Sequence, residues 1–212
     1  MEIGDYDRDT DLVAACRRDR RPRLRVRRPD GVQLVLGLGS RPERELHMAA
    51  CQADGVAVLR RRGGGCAVVL EPGQLVLAAA LHAPGLGGNR AWFDAINAAL
   101  IAALEAVGLP APERAGISDL ALGGRKVAGA SLHRGRDTLY YAASLLIAPR
   151  VELMTRYLQH PPREPAYRRG RAHADFVRGL AEHLTPPAIA ALAPELATAL
   201  QPRIAALGQS KT

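Results

Sequence analysis

Apolar residues recur at helical spacing over residues 91–107, where Phe93, Ile96, Leu100, Ala103, Leu104 and Val107 share one face and Gly108 supplies a stop. Elsewhere the apolar runs have strand length and turn residues at their ends. Runs at 24–26 and 32–36 flank Pro29-Asp30-Gly31, and Gly37 and Gly39 break the second of them; 56–60 leads into a glycine run. Runs at 66–70 and 75–81 lie on either side of Pro72-Gly73 and read as a hairpin. Gly123-Gly124 joins 117–122 to 126–133, which predicts a second hairpin with Lys126 at a strand start; a further strand covers 138–147. Helical patterns cover 11–20, 42–53 ahead of Gly55, 151–158 and 173–184. An Ala/Leu-rich tail follows, broken by Pro186, Pro187, Pro194 and Pro202. Antiparallel runs of strands with few helices between them predict an α+β fold, not a doubly wound sheet.

Composition narrows this picture. A chain of 212 residues and 22.6 kDa fits one domain with a small helical appendage: a main domain over 1–184 and a short helical cap or tail over 185–212. Hydrophobic residues make up 48% but aromatics only 4%, so the core must rest on Leu, Val and Ala. Three cysteines, Cys16, Cys51 and Cys66, form no CxxC or Cys/His ligand spacing, which argues against a disulfide framework and a zinc site. His82, His133 and His173 are isolated from other metal-ligand types and read as structural. The start of the chain lacks a basic and an apolar signal region, and no apolar run reaches spanning length, so a soluble cytoplasmic protein is expected.

The net charge is +8, and it rests on arginine: 27 of the 29 basic residues are Arg. Arginines cluster at 17–28 (Arg17, Arg18, Arg20, Arg21, Arg23, Arg25, Arg27, Arg28) and at 163–171 (Arg163, Arg168, Arg169, Arg171). Nucleic-acid modules interleave stacking aromatics or a readout helix with such charge, and neither is evident here. A docking face for an acidic protein is the better expectation; non-catalytic nucleic-acid binding is the alternative from charge alone.

Against this background Lys126 stands out, because Lys211 is the only other lysine. A lysine kept directly after Arg125, in Gly123-Gly124-Arg125-Lys126-Val127-Ala128-Gly129, points to a need for a compact ammonium on a flexible stem instead of a planar fork. Compositional drift that spared one lysine is the plainer alternative. A second candidate is Gly63-Gly64-Gly65, between Arg60-Arg61-Arg62 and an apolar strand. Its backbone N–H groups could cradle a phosphate or carboxylate with arginine alongside. It is neither a Walker A loop nor a Rossmann fingerprint, since no GK[ST] follows and a strand comes next; a plain flexible loop is the alternative.

Taken together, several ordered segments resemble the lipoate–protein ligase A family, within the wider group of biotin and lipoate protein ligases and octanoyltransferases. They are Arg60-Arg61-Arg62-Gly63-Gly64-Gly65-Cys66-Ala67-Val68 with Glu71-Pro72-Gly73-Gln74, then Ile117-Ser118-Asp119-Leu120, then Gly124-Arg125-Lys126-Val127-Ala128-Gly129, then Ser144-Leu145-Leu146. Tyr167-Arg168-Arg169-Gly170-Arg171-Ala172-His173-Ala174-Asp175-Phe176 resembles a segment of short members. The resemblance spans roughly residues 25–180. It implies a biotin/lipoate ligase-type catalytic fold and an enzyme that activates lipoate or octanoate with ATP and Mg²⁺. The acyl-adenylate then passes its acyl group to a lysine of a lipoyl carrier protein. It also implies roles: Lys126 for the catalytic lysine, Arg61 for the nucleotide-contacting arginine, and Gly63, Gly64 and Gly65 for the glycine run. The backbone of Cys66, Ala67, Val68 and Val69 corresponds to the strand lining the adenylate, Asp119 to an acidic residue near the site, and Val127 and Gly129 to the lysine's own strand. The chain differs from many members in having Val69-Leu70 for an aromatic-His pair, Ser118 for Asn, and Ala142-Ala143 for His-Gly. An acidic carrier and a separate accessory subunit are the partners implied, without a specific nucleic acid, a membrane or a protein-held metal. An octanoyltransferase acting from acyl carrier protein is the alternative and needs a nucleophilic cysteine, for which Cys66 is the nearest candidate; a biotin ligase is weakened by the missing GRGRxG loop.

Overall fold

The computed structural model describes residues 2–209, so Lys211 lies outside the described residues. In chain order the elements are β1 (Gly4–Asp5), α1 (Thr10–Asp19), β2 (Arg23–Arg27), β3 (Gln33–Leu36), α2 (Pro42–Glu45), α3 (Met48–Ala53), β4 (Ala57–Arg60), β5 (Val68–Leu70), β6 (Gln74–His82), α4 (Asn89–Ala106), β7 (Glu113–Ala115), β8 (Asp119–Leu122), β9 (Arg125–Arg134), β10 (Thr138–Leu146), α5 (Val151–Tyr157), α6 (His173–Phe176) and α7 (Pro186–Gln209). They build two sheets, a mixed four-stranded one in the order β1-β4-β3-β5 and an antiparallel six-stranded one in the order β2-β6-β10-β9-β8-β7. The α+β class expected from the strand pattern is the one observed.

Period-two alternation explains how the large sheet serves two purposes. Leu75, Leu77, Ala79 and Leu81 of β6, with Leu139, Tyr141, Ala143 and Leu145 of β10, face α4 and α7 and form the main core. The intervening residues face the other way, toward α1 and the small sheet. Small side chains dominate there: Ala80 packs under Leu12 and Cys16 of α1, and Ala142 and Ser144 of β10 lie opposite Ser131 and Gly129 of β9. The same alternation in β2 sends Leu24 and Val26 to the core and Arg25 and Arg27 to the N-terminal segment, where they meet Asp9, Asp11 and Tyr6.

Four expectations change, and one further turn crosses between the sheets. Residues 66–70 and 75–81 are not a hairpin: β5 pairs with β3 and β6 with β2 and β10, so the Glu71-Pro72-Gly73 turn carries the chain from one sheet to the other. Glu71 accepts the Gly73 N–H at 2.8 Å, and the Gln74 side chain donates to the Val69 carbonyl, which makes the corner. The strands on either side of Pro29-Asp30-Gly31 likewise belong to different sheets. The helix expected over 42–53 is split at Leu46 and His47, which bond across to Leu158 and Tyr157. That expected over 173–184 stops at Phe176, because Val177 bridges to Lys126 and Arg178, Leu180 and Ala181 donate to the carbonyls of Lys126, Leu146 and Ile147. The tail runs as one 24-residue helix through Pro194 and Pro202. Both prolines are exposed, so the carbonyls they leave unpaired meet water, while Leu192, Leu196, Leu200 and Ile204 bury the opposite face in the main core.

Candidate active site

The Gly123-Gly124 turn has φ of +58° and +70°, the two positive values that a tight hairpin turn requires and glycine supplies cheaply. It starts β9 with Arg125-Lys126. A bulge between Leu120 and Ala121 of β8 shifts the register, and the Lys126 side chain lies over Gly129. A Cβ on Gly129 would stand 2.5 Å from the Lys126 Nζ. Lys126 Nζ pairs with Asp119 Oδ1 at 2.9 Å, and Asp119 Oδ2 accepts the Tyr167 hydroxyl, also at 2.9 Å. Burial first, and then the Asp119 charge, push the Tyr167 phenol well up from its ordinary value, so it stays protonated and donates. The Lys126 side chain is 26% exposed, enough to be reached from solvent. An ammonium has three N–H donors, and Asp119 uses one of them.

The glycine run docks two residues further along the same face of β9: Gly63 packs so closely on Ser131 that a Cβ there would sit 3.0 Å from its Oγ. The carbonyls of the run are tied back. Leu38 N–H takes Gly63, Arg61 takes Gly64 and Cys66, and the Gly65 carbonyl lies 3.3 Å from the Ser40 hydroxyl. The N–H groups of Gly63, Gly64, Gly65 and Cys66 donate to nothing among the described residues. Gly65 has a positive φ of +91°, and open N–H groups on such a turn are chemically able to take an anion.

Arg61 is half-buried and gives Nε, Nη1 and Nη2 to backbone carbonyls, Val35 included at 2.9 Å. Burial lowers its pKa to about 10, still above neutrality, so its charge persists behind the run while its fork clamps the loop. The structure thus brings together Lys126, Asp119 and Gly129, and sets Gly63 of the glycine run on Ser131, two residues further along the same strand. Ala67 gives its N–H to Glu45 at 2.6 Å, and Val69 and Val127 turn their side chains into the core, so of these only backbone can face a ligand; Val68 packs beside Val35. Sequence reasoning missed three supports: Ser40 and Glu45, buried and hydrogen-bonded at 2.9 Å beneath the run, and Tyr167. A buried Ser-Glu pair five residues apart has no motif of its own. Cys16 and Cys51 are buried, with thiols pushed up by burial, and so are poor nucleophiles; Cys66 rests its Sγ 3.5 Å from the Arg163 carbonyl.

The same face of β9 and β10 continues into a cavity of about 120 Å³ roofed by α1 and bordered by Arg61, Ser131, His133, Tyr140 and Ala142. Residues 8–201 match the lipoyl protein ligase A/B catalytic domain, and the chain belongs to that family. A lipoate–protein ligase of Streptococcus pyogenes serotype M5 (strain Manfredo) is 30% identical over 132 residues, 62% of this chain and 38% of that protein, so the match spans well under half of the curated relative's length. Among solved structures, a bipartite lipoate protein ligase of Thermoplasma acidophilum, described with its E2 lipoyl domain, superposes with a TM-score of 0.75 at 17% identity, covering 96% of this chain and 84% of that one. A lipoate–protein ligase A bound with ATP does so with a TM-score of 0.71 at 18% identity, over 91% and 78% of the two chains. Among the described residues no helix is long and apolar enough to cross a membrane.

Proposed function

We propose that this chain is a lipoate–protein ligase: it activates lipoate or octanoate with ATP and transfers the acyl group to a lysine of a lipoyl domain. The observation that carries this reading is the Lys126 ammonium, braced by Asp119 over Gly129 with two N–H donors to spare, beside the open N–H groups of the glycine run. In the first step a carboxylate oxygen attacks the α-phosphorus of ATP, its O–P bond forms, and the bond to the β-phosphate oxygen breaks to release pyrophosphate. Both reactants are anions, and their repulsion is the barrier that a shared cation lowers. The two free donors of Lys126 reach one oxygen of each, and the N–H groups of Gly64, Gly65 and Cys66 hold the phosphate. In the second step a neutral carrier lysine attacks the acyl carbonyl, AMP leaves, and the amine proton is lost. Mg²⁺ would ride mostly on the nucleotide phosphates and water. Among the described residues no group of three or more His, Cys, Asp or Glu side chains is placed to hold a metal ion.

The carrier in this reading is acidic and cytoplasmic. The exposed Arg17, Arg18, Arg20, Arg21, Arg163 and Arg169 supply the opposite field, and an accessory subunit could complete activation. The test is acyl transfer to a lipoyl domain, read as a mass increase, together with AMP release from lipoate and ATP. Lys126→Arg is expected to fold and to lose most of both, because a planar guanidinium cannot stand as a point charge between two oxyanions. Activity retained within about tenfold, on the order of 1.4 kcal/mol of barrier, would remove Lys126 from the centre of the reaction.

A further inference from the structure

We infer that Tyr167 is a positioning residue for Lys126: its hydroxyl occupies one oxygen of Asp119, which confines the ion pair to the other and keeps two of the three ammonium donors free. The inference rests on the ligase reading for what those donors serve, the carboxylate and the α-phosphate. Lys126 Nζ meets Asp119 Oδ1 at 2.9 Å, and the Tyr167 hydroxyl donates to Oδ2 at 2.9 Å. A carboxylate with both oxygens open can draw two N–H groups of one ammonium, and its terminal torsion is soft, so nothing in Asp119 itself limits it to one. The tyrosine does. With Oδ2 taken, the carboxylate plane is fixed and Oδ1 stays aimed at the Nζ that lies over Gly129. Asp119 is 7% exposed, so water has little access to take the phenol's place as the second donor.

The ring is anchored independently of its hydroxyl. It tilts on Phe176 with 5.1 Å between centroids, and the Arg168 and Arg171 guanidinium groups lie over the Phe176 ring at 4.8 and 5.4 Å. Gly116 lets the β7–β8 turn close on this segment: a Cβ there would lie 3.2 Å from Pro165 Cβ and 3.9 Å from Tyr167 Cε1. The same segment grips the main chain of the lysine. Val177 bridges to Lys126, Arg178 N–H donates to the Lys126 carbonyl at 3.0 Å, and Arg125 Nη2 donates to the Ala174 carbonyl at 2.7 Å. The backbone of Lys126 and the counter-ion of its head group are thus both placed by residues 167–178. Burial, then the Asp119 charge, push the phenol up, so it remains a donor and not a competing anion. Removing only the hydroxyl leaves the packing and backbone contacts in place, which separates its effect on Lys126 from any effect on the segment.

The experiment follows single-turnover pyrophosphate release from lipoate and ATP in the wild type, Tyr167→Phe, Asp119→Ala and the double variant, with melting temperatures alongside. Tyr167→Phe is expected to melt near the wild type, to lose about fivefold or more of the saturating rate and to shift the half-saturating lipoate concentration by less than about twofold. The loss falls on the rate because the repulsion that the spare donors relieve grows as the two oxyanions meet. In the Asp119→Ala background the same change is expected to reduce the rate by less than about twofold, since the tyrosine then has no carboxylate to hold. An equal loss in both backgrounds, or an unaltered rate in Tyr167→Phe, overturns the inference. A second measurement needs no Asp119 variant and stands if that variant fails to fold. With ¹⁵N-labelled lysine the chain carries only two labelled ammonium groups, Lys126 and Lys211, and Lys211→Arg assigns them. Tyr167→Phe is expected to move the Lys126 Nζ resonance and to leave that of Lys211 where it is; an unmoved Lys126 resonance overturns the inference. A wild type that releases no pyrophosphate with lipoate or octanoate, but whose Lys126 resonance responds to Tyr167→Phe, would sink the ligase reading and leave the positioning standing. Release at an unaltered rate in Tyr167→Phe does the reverse.

Discussion

Gly129 shows how a single missing side chain can matter for chemistry and not for folding. A Cβ there would lie 2.5 Å from Lys126 Nζ and 2.6 Å from its Cε, distances that force a shift, but what must shift is the far end of a flexible side chain. Gly129→Ala is therefore expected to melt close to wild type while the displaced ammonium costs roughly tenfold or more in adenylate formation, about 1.4 kcal/mol of barrier or above. Thermal melting read alongside AMP release checks this; normal turnover would show that Lys126 need not stand over Gly129. Gly37 and Gly73 behave in the opposite way. Their added Cβ atoms would lie 1.9 Å from the Gly65 carbonyl oxygen and 2.1 Å from that of Ala148, where backbone cannot yield cheaply. At this scale the sequence was informative where residue type was unusual: one of only two lysines, set among arginines, and three consecutive glycines can be read without a structure. Tyr167 could not, because it acts through Asp119, 48 residues away, and Ser40 could not, because nothing local marks its burial against Glu45.

Among the elements, the segment 163–178 straps the site together. Arg163 touches Cys66 through its carbonyl, Tyr167 holds Asp119, Arg171 reaches the Gly124 carbonyl, and Val177 bridges to Lys126. His173 opens α6 within this strap. Burial, then the Arg168 charge, lower its pKa to about 4, and its Nε2 is buried without a hydrogen-bond partner. Its unfolded value is about 6.5. Between those values the unfolded chain binds the proton and the folded one does not, so stability falls as pH drops from about 6.5 toward 4. Melting temperatures at pH 7, 5.5 and 4.5 should decline more steeply for the wild type than for His173→Gln; parallel curves would mean that His173 is not the group responsible. Asp54, held down to about 2 first by Arg156 and then by Tyr157, loses its contribution only at lower pH, as pH falls through that value, so the two effects occupy separate windows.

On the scale of the whole molecule, the arginines divide by position. Arg23 and Arg25 pair with Asp19, Asp9 and Asp11; Arg27 bonds Tyr6, and Arg28 the backbone of Pro72 and Ile189. In the second cluster Arg168 is buried and Arg171 is bound to carbonyls. Of the twelve clustered arginines, the exposed six named above are the ones that would steer the proposed carrier. Steering acts on encounter, so raising salt from about 0.05 to 0.5 M should slow acyl transfer to the lipoyl domain several-fold while adenylate formation stays nearly constant. Equal slowing of both reactions would place the salt effect inside the site instead of on the docking face.

Local chemistry determined what could be read from the chain alone. Apolar spacing marked α4, and paired glycines with positive φ set the β8–β9 hairpin, because both depend on residues a few positions apart. The ordered motifs carried the family. Only the tertiary structure decided that Glu71-Pro72-Gly73 switches sheets, that Val177 leaves its helix to bond Lys126, and that α7 continues through two prolines. In each case the local preference is worth a few kcal/mol at most. Sheet hydrogen bonds or a buried row of leucines contributed by distant residues outweigh it, and no window of sequence contains both sides of that comparison.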